Sequence, residues 1–182
     1  MRKGVHHVEF SVLDYDNSIA FFDKMFGWLG YKSFWTLDIG YHSTYYMARL
    51  PFFHSYIGIQ PAKSGGKLRH EDRATGIHHI ALWAKSRKEV DNFYNDFLLK
   101  NNVEVTDPPA EYPVYTPGYY AVFFNDPITG IHFELSYTPY LPSLPAYRRF
   151  MDALKAVWKQ HPEWEAPPWK AAWRKLPSRN SD

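Results

Sequence analysis

The chain contains no cysteine, which excludes disulfides, thiolate metal centres, iron–sulfur clusters and cysteine nucleophiles. Any metal must then be held by imidazole, carboxylate, phenol or amide oxygen. No stretch approaches the ~18 consecutive apolar residues of a membrane span, and Met1-Arg2-Lys3-Gly4-Val5-His6-His7 lacks the apolar run of a secretory leader. A soluble cytoplasmic protein without a membrane partner is expected. Net charge is also scarce, with 21 Lys and Arg against 19 Asp and Glu leaving +2. Without a concentrated basic face that is too little to hold a phosphate backbone, so nucleic acid is not an expected partner. Aromatic carbon, by contrast, is abundant: seven Trp, fourteen Tyr and thirteen Phe among 182 residues. This is the profile of a packed domain rather than a disordered chain, at a length suited to about one domain.

The chain repeats itself. Gly4-Val5-His6-His7-Val8-Glu9-Phe10 returns as Gly76-Ile77-His78-His79-Ile80-Ala81-Leu82, 72 positions later. Each His-His doublet opens a run alternating at period two, the pattern of a half-buried strand. Asp14 to Ser18 then offers N-caps for a helical pattern of Ile19, Phe22, Met25, Phe26 and Leu29. Ser86-Arg87-Lys88-Glu89 is a capping box leading into Val90, Phe93, Tyr94, Phe97 and Leu98. Three strand-like runs follow each helix: Phe34 to Ile39, Thr44 to Arg49 and Ser55 to Gln60, then Val103 to Thr106, Tyr119 to Asn125 and Ile131 to Tyr137. Gly40, Pro51, Pro108-Pro109, Pro117-Gly118 and Pro127 to Gly130 read as turns.

The expected fold is therefore α+β, with two paired βαβββ modules (residues 4–62 and 76–137) forming a curved mixed sheet around a central cleft in a domain spanning 1–137. The polar linker 63–75 reads as flexible, so that the halves pair within one chain or are exchanged between two, as in a homodimer. Residues 138–182 form a Pro- and Trp-rich helical extension. It holds four of the seven Trp, including Trp164, Trp169 and Trp173, and is expected to pack on its own domain, on a partner copy or over the site.

Alternation also assigns faces. With Val8, Phe10 and Val12 toward a helix, His7, Glu9 and Ser11 turn the other way. The same logic turns His79, Ala81 and Trp83 in the second repeat, and His132, Glu134 and Ser136 in the last strand, away from the helices. Imidazoles and a carboxylate unpaired on a concave face would be costly or shift their pKa values, and a divalent cation removes that penalty. His7, His79 and Glu134 have the composition of a catalytic site with open positions, and His132 ranks second to Glu134. His6, His42, His54, His70, His78 and His161 read as structural histidines.

These residues carry a resemblance. The paired βαβββ halves, the His opening each, and the ending Asp126-Pro127-Ile128-Thr129-Gly130-Ile131-His132-Phe133-Glu134-Leu135 resemble the vicinal oxygen chelate superfamily, which includes glyoxalase I, bleomycin-resistance proteins, fosfomycin-resistance enzymes and extradiol dioxygenases. The likeness spans residues 4–137. It implies that the modules cup a divalent ion, Fe(II), Mn(II), Ni(II) or Zn(II), on which the oxygens of a small-molecule substrate bind, with His7, His79 and Glu134 at its ligand positions. It also implies lyase, isomerase, thiol transferase or extradiol dioxygenase chemistry, or a metal-free drug-binding module of the bleomycin-resistance type.

The departures from that pattern are informative. Glyoxalase I takes a further carboxylate from the last strand of its first module, where this chain has Gly58, with Gln60 two residues on. Extradiol dioxygenases add a Tyr shortly before the last turn and an upstream His, and the nearest positions here are Phe123 or Phe124 and Tyr115. Glu9 projects beside His7 as a catalytic base, a fourth ligand or the partner of a Lys or Arg. Tyr56, Trp83, Tyr115, Tyr120 and Gln60 are the candidate substrate-binding residues, with Tyr119 and Phe123 as further aromatic wall.

Overall fold

A computed structural model of the chain describes residues 5–38, 40–48, 55–164 and 167. The expected last residues of two strands, Ile39 and Arg49, together with Pro51, His54, Trp169 and Trp173, lie outside them. The first half runs β1 (His7–Val12), α1 (Tyr15–Trp28), β2 (Lys32–Asp38), β3 (His42–Met47) and β4 (Tyr56–Pro61). The second runs β5 (Ile80–Trp83), α2 (Arg87–Phe93), β6 (Val105–Glu111), β7 (Tyr120–Asn125) and β8 (His132–Tyr137), and α3 (Leu144–Gln160) follows. This is the expected α+β pair of βαβββ modules. Each module makes its own four-stranded mixed sheet, ordered β1-β4-β3-β2 and β5-β8-β7-β6. The first and last strands of each module pair in parallel.

Local chemistry explains the helix starts. Asp14 caps α1 by accepting from the Asn17 amide at 3.2 Å. Ser86 accepts from the Glu89 amide at 3.1 Å while the Glu89 carboxylate accepts from the Lys85 amide, so the capping box closes one residue early. Past Phe93 the helix widens into a π turn, Tyr94–Leu98, and tightens into a 3-10 turn ended by Asn102 at φ 52°. That change of pitch keeps Phe97 and Leu98 buried. Pro108-Pro109, read from sequence as a turn, instead lies inside β6. The strand tolerates it because β6 is outermost in its sheet and its register slips between Asp107 and Ala110, where a missing N–H breaks no ladder.

The two modules share one aromatic core. Phe10 of β1 lies 6.2 Å from Phe133 of β8 between ring centroids, and Phe22 of α1 lies 5.8 Å from the same ring. Phe21 stands 6.0 Å from Phe97, and Trp28 stands 5.1 Å from Phe93. Along β1, Phe10 and Val12 are buried while His7, Glu9 and Ser11 are exposed, so the helix-side faces of both sheets are spent on each other. Alternation then turns the opposite face of each sheet away from the shared core.

The linker, expected to be flexible, is docked. The Leu68 amide donates to the Thr129 carbonyl at 2.7 Å and Lys67 Nζ to the Pro127 carbonyl at 3.0 Å. A short 3-10 turn, His70–Asp72, lays the His70 ring on His132 at 3.6 Å between centroids. The α3 helix is tied down by Glu111, which receives both Arg87 of α2 and Arg149 of α3. Among the described residues no helix is long and apolar enough to cross a membrane.

Candidate functional site

The outward faces carry two half-sites of the same make. In the second module His79 Nε2 lies 3.5 Å from Glu134 Oε2, and Tyr119 donates its hydroxyl to the other oxygen of Glu134. In the first, His7 Nε2 lies 3.8 Å from Glu9 Oε1, and Tyr45 donates to the same oxygen at 2.5 Å. The doublets explain the poise of each imidazole. His6 and His7 share a hydrogen bond between their Nδ1 atoms at 2.8 Å, and His78 and His79 do likewise. Each second His thereby has its Nδ1 engaged and presents Nε2 to a carboxylate, the way an outer partner orients a metal-binding imidazole. His6 and His78, structural by sequence parity, are the orienting members.

Burial separates the halves. Glu134 is 4% exposed, whereas the Glu9 side chain keeps a third of its surface. Around Glu134 opens a cavity of about 510 Å³ whose wall includes Tyr112, Tyr115, Tyr119, Phe123, His132 and Asp107. Burial pushes the Tyr112 and Tyr119 hydroxyls up to about 12, for Tyr119 with the help of its bond to Glu134, so both remain proton donors. In the first module the bond to Glu9 raises Tyr45. His132 is pushed down to about 4 by burial, reinforced by His70, His79 and His78. It is therefore neutral at pH 7, and its Nδ1–H donates to Asn125 Oδ1 at 2.7 Å.

The remaining sequence candidates divide. Tyr115 lines the cavity and is 61% exposed. Trp83 stands on the same face of β5 as Ala81, 69% exposed. Tyr56 is opposite His7 in the ladder, with its ring 5.5 Å from His6. Gln60 is opposite Ser11 and donates to its hydroxyl at 3.2 Å, two rungs beyond Glu9 and Gly58. Tyr120, expected on the substrate side, faces the helix instead: its hydroxyl donates to Asp91 of α2 at 2.8 Å and Arg87 lies 5.0 Å from the ring centre. Tyr119, one residue earlier, takes the place beside Glu134 on the site face. Sequence reasoning passed over Tyr45, Tyr112 and Asp107, and read the linker's His70, which lines the cavity, as structural. Alternation along β3 would have turned Tyr45 to the face of Glu9 once β3 was known to lie beside β4.

The donor chemistry suits a divalent ion. Two ligands bound tetrahedrally at about 2.1 Å stand about 3.4 Å apart, close to the separation of His79 and Glu134. Yet among the described residues no three His, Asp or Glu converge on one point within a single chain. His7 and Glu9 belong to one sheet, His79 and Glu134 to the other module.

No protein-family model matches the sequence, and no curated protein matches it. Solved structures do. A domain from Frankia described as a glyoxylase, bleomycin resistance protein and dioxygenase domain superposes with a TM-score of 0.60 at 20% identity, covering 77% of this chain and 95% of that one. The chain has the vicinal oxygen chelate fold. A glyoxalase candidate from Bacillus halodurans shares that fold at TM-score 0.56 and 26% identity, over 74% of this chain and 95% of the other. A fosfomycin resistance protein from Listeria monocytogenes, solved with Mn(II) and sulfate, shares it at TM-score 0.52 and 19% identity, over 77% and 96%. In this vicinal oxygen chelate fold the candidate metal donors fall on the faces turned away from the helices.

Proposed function

We propose that the protein is an enzyme that works as a homodimer on a small molecule bearing two adjacent oxygens. In this reading His7 of one copy joins His79 and Glu134 of the other around a divalent ion, Fe(II), Mn(II), Ni(II) or Zn(II). The observation that carries it is the pair of His–carboxylate–Tyr half-sites, each short of a full donor set and each turned away from its own chain's core. Two copies placed face to face complete what one chain leaves half made.

Such an ion supplies Lewis acidity to the substrate oxygens. The chain's own groups do the rest. Tyr119, kept protonated by burial, donates to one oxygen of Glu134 and so holds the other toward His79. Tyr112, Tyr115 and Phe123 pack against the flat or apolar part of the ligand and exclude water. Among the described residues lining the cavity there are two carboxylates, Asp107 and Glu134, and no Lys or Arg, which disfavours an anionic ligand end there. Lyase, isomerase, thiol transferase and extradiol dioxygenase outcomes all begin from this arrangement.

A second reading, a metal-free binding module of the bleomycin-resistance type, is favoured by the absence of a three-donor cluster among the described residues of one chain. Metal analysis and sedimentation of protein purified without chelator separate the two. The enzyme reading expects a dimer carrying about one ion per chain, with His79→Ala losing the ion while remaining folded. Protein that stays empty after exposure to all four ions overturns it in favour of the binding module.

A further inference from the structure

The two modules differ at one rung. In the second, Ala81 of β5 pairs with Glu134 of β8, which pairs with Phe123 of β7. In the first, the rung two residues after the doublet is Glu9 of β1, Gly58 of β4 and Tyr45 of β3. The carboxylate has crossed from the last strand to the first. Gly58 makes the crossing feasible: a Cβ there would stand 2.7 Å from Glu9 Cγ and 2.9 Å from Tyr45 Cε1. The Glu9 side chain therefore lies over β4, above the backbone position from which Glu134 projects in the other module.

We propose that Glu9 is a fourth donor to the ion, giving a shell of two imidazoles and two carboxylates, with Gly58 admitting the crossed side chain and Tyr45 as its positioning residue. This rests on the dimeric metal site proposed above. An imidazole and a phenol engage Glu9 at Oε1, and the side chain keeps a third of its surface exposed, so the carboxylate is open to a further ligand. Two carboxylates balance a divalent ion. The trio of His, carboxylate and Tyr hydroxyl is the same as that at Glu134, reached by a different strand.

Titration of metal-stripped, full-length protein with Co(II), read by its visible absorption and by dialysis, tests this. Glu9→Gln is expected to weaken Co(II) binding about tenfold or more and to change the absorption spectrum, and Tyr45→Phe to weaken it about tenfold through loss of the orienting bond. Gly58→Ala keeps every donor yet pushes Glu9 aside, and is expected to act in the same direction as Glu9→Gln. The triple change Tyr45→Phe, Glu9→Ala, Gly58→Glu copies the second module's rung and is expected to restore tight binding. Circular dichroism confirms folding of each variant. Wild-type protein that binds Co(II), with Glu9→Gln equally tight and spectrally unchanged, overturns the role of Glu9 alone. Wild-type protein that takes up no Co(II) overturns the underlying site as well.

Discussion

Phe10 of β1 and Phe133 of β8 meet edge to face, 6.2 Å between ring centres with their planes at 70°, although one belongs to each module. That contact commits the helix-side faces of both sheets to a single interior. It also dictates that the chemically equipped faces, carrying Glu9 and Glu134, look outward from it.

Removing this contact is expected to be severe. Phe133 is fully buried against Phe10, Phe22 and Phe124, so Phe133→Ala is expected to cost about 3–5 kcal/mol in urea unfolding. A loss well under about 1 kcal/mol, the range of an ordinary surface change, would show that the modules do not depend on a common interior.

Docking of the linker turns on Gly130. It has φ +81°, and a Cβ there would lie 2.2 Å from the Leu68 carbonyl oxygen. Gly130→Ala is expected to destabilise the protein by about 1–3 kcal/mol and to speed tryptic cleavage at Arg69 and Arg73. Cleavage at the wild-type rate contradicts the docked linker.

Acid is expected to weaken the fold through His132. Its folded pKa of about 4 lies below the ordinary 6.5, so between those values the unfolded chain takes up a proton that the folded chain refuses. Stability therefore falls as pH drops from about 6.5 to about 4 and flattens below that. The urea midpoint across this range reads the effect, and His132→Gln should flatten it. An unchanged slope in that variant would assign the loss to other groups.

Much of the fold was legible because its signals are local. Period-two alternation around each doublet, the caps at Asp14 and Ser86, and the repeat itself depend on residues only a few positions apart. What escaped depends on strand order. Pro108-Pro109 reads as a turn until β6 is known to be an edge strand. The Tyr120 side chain is assigned to the wrong face unless the phase of β7 is known, since one residue of slip exchanges it with Tyr119. Tyr45 and Glu9, 36 residues apart, become partners only when β3 and β1 flank β4.

By itself, the amino-acid order determined two similar units, the apolar stripe of each, and which imidazoles and carboxylates sit opposite that stripe. Tertiary structure alone decided that the stripes bury one another and that His7 with Glu9 and His79 with Glu134 form separate halves. The reason is that alternation specifies a side of a strand, whereas which sides meet is settled by burying aromatic surface between elements far apart along the chain.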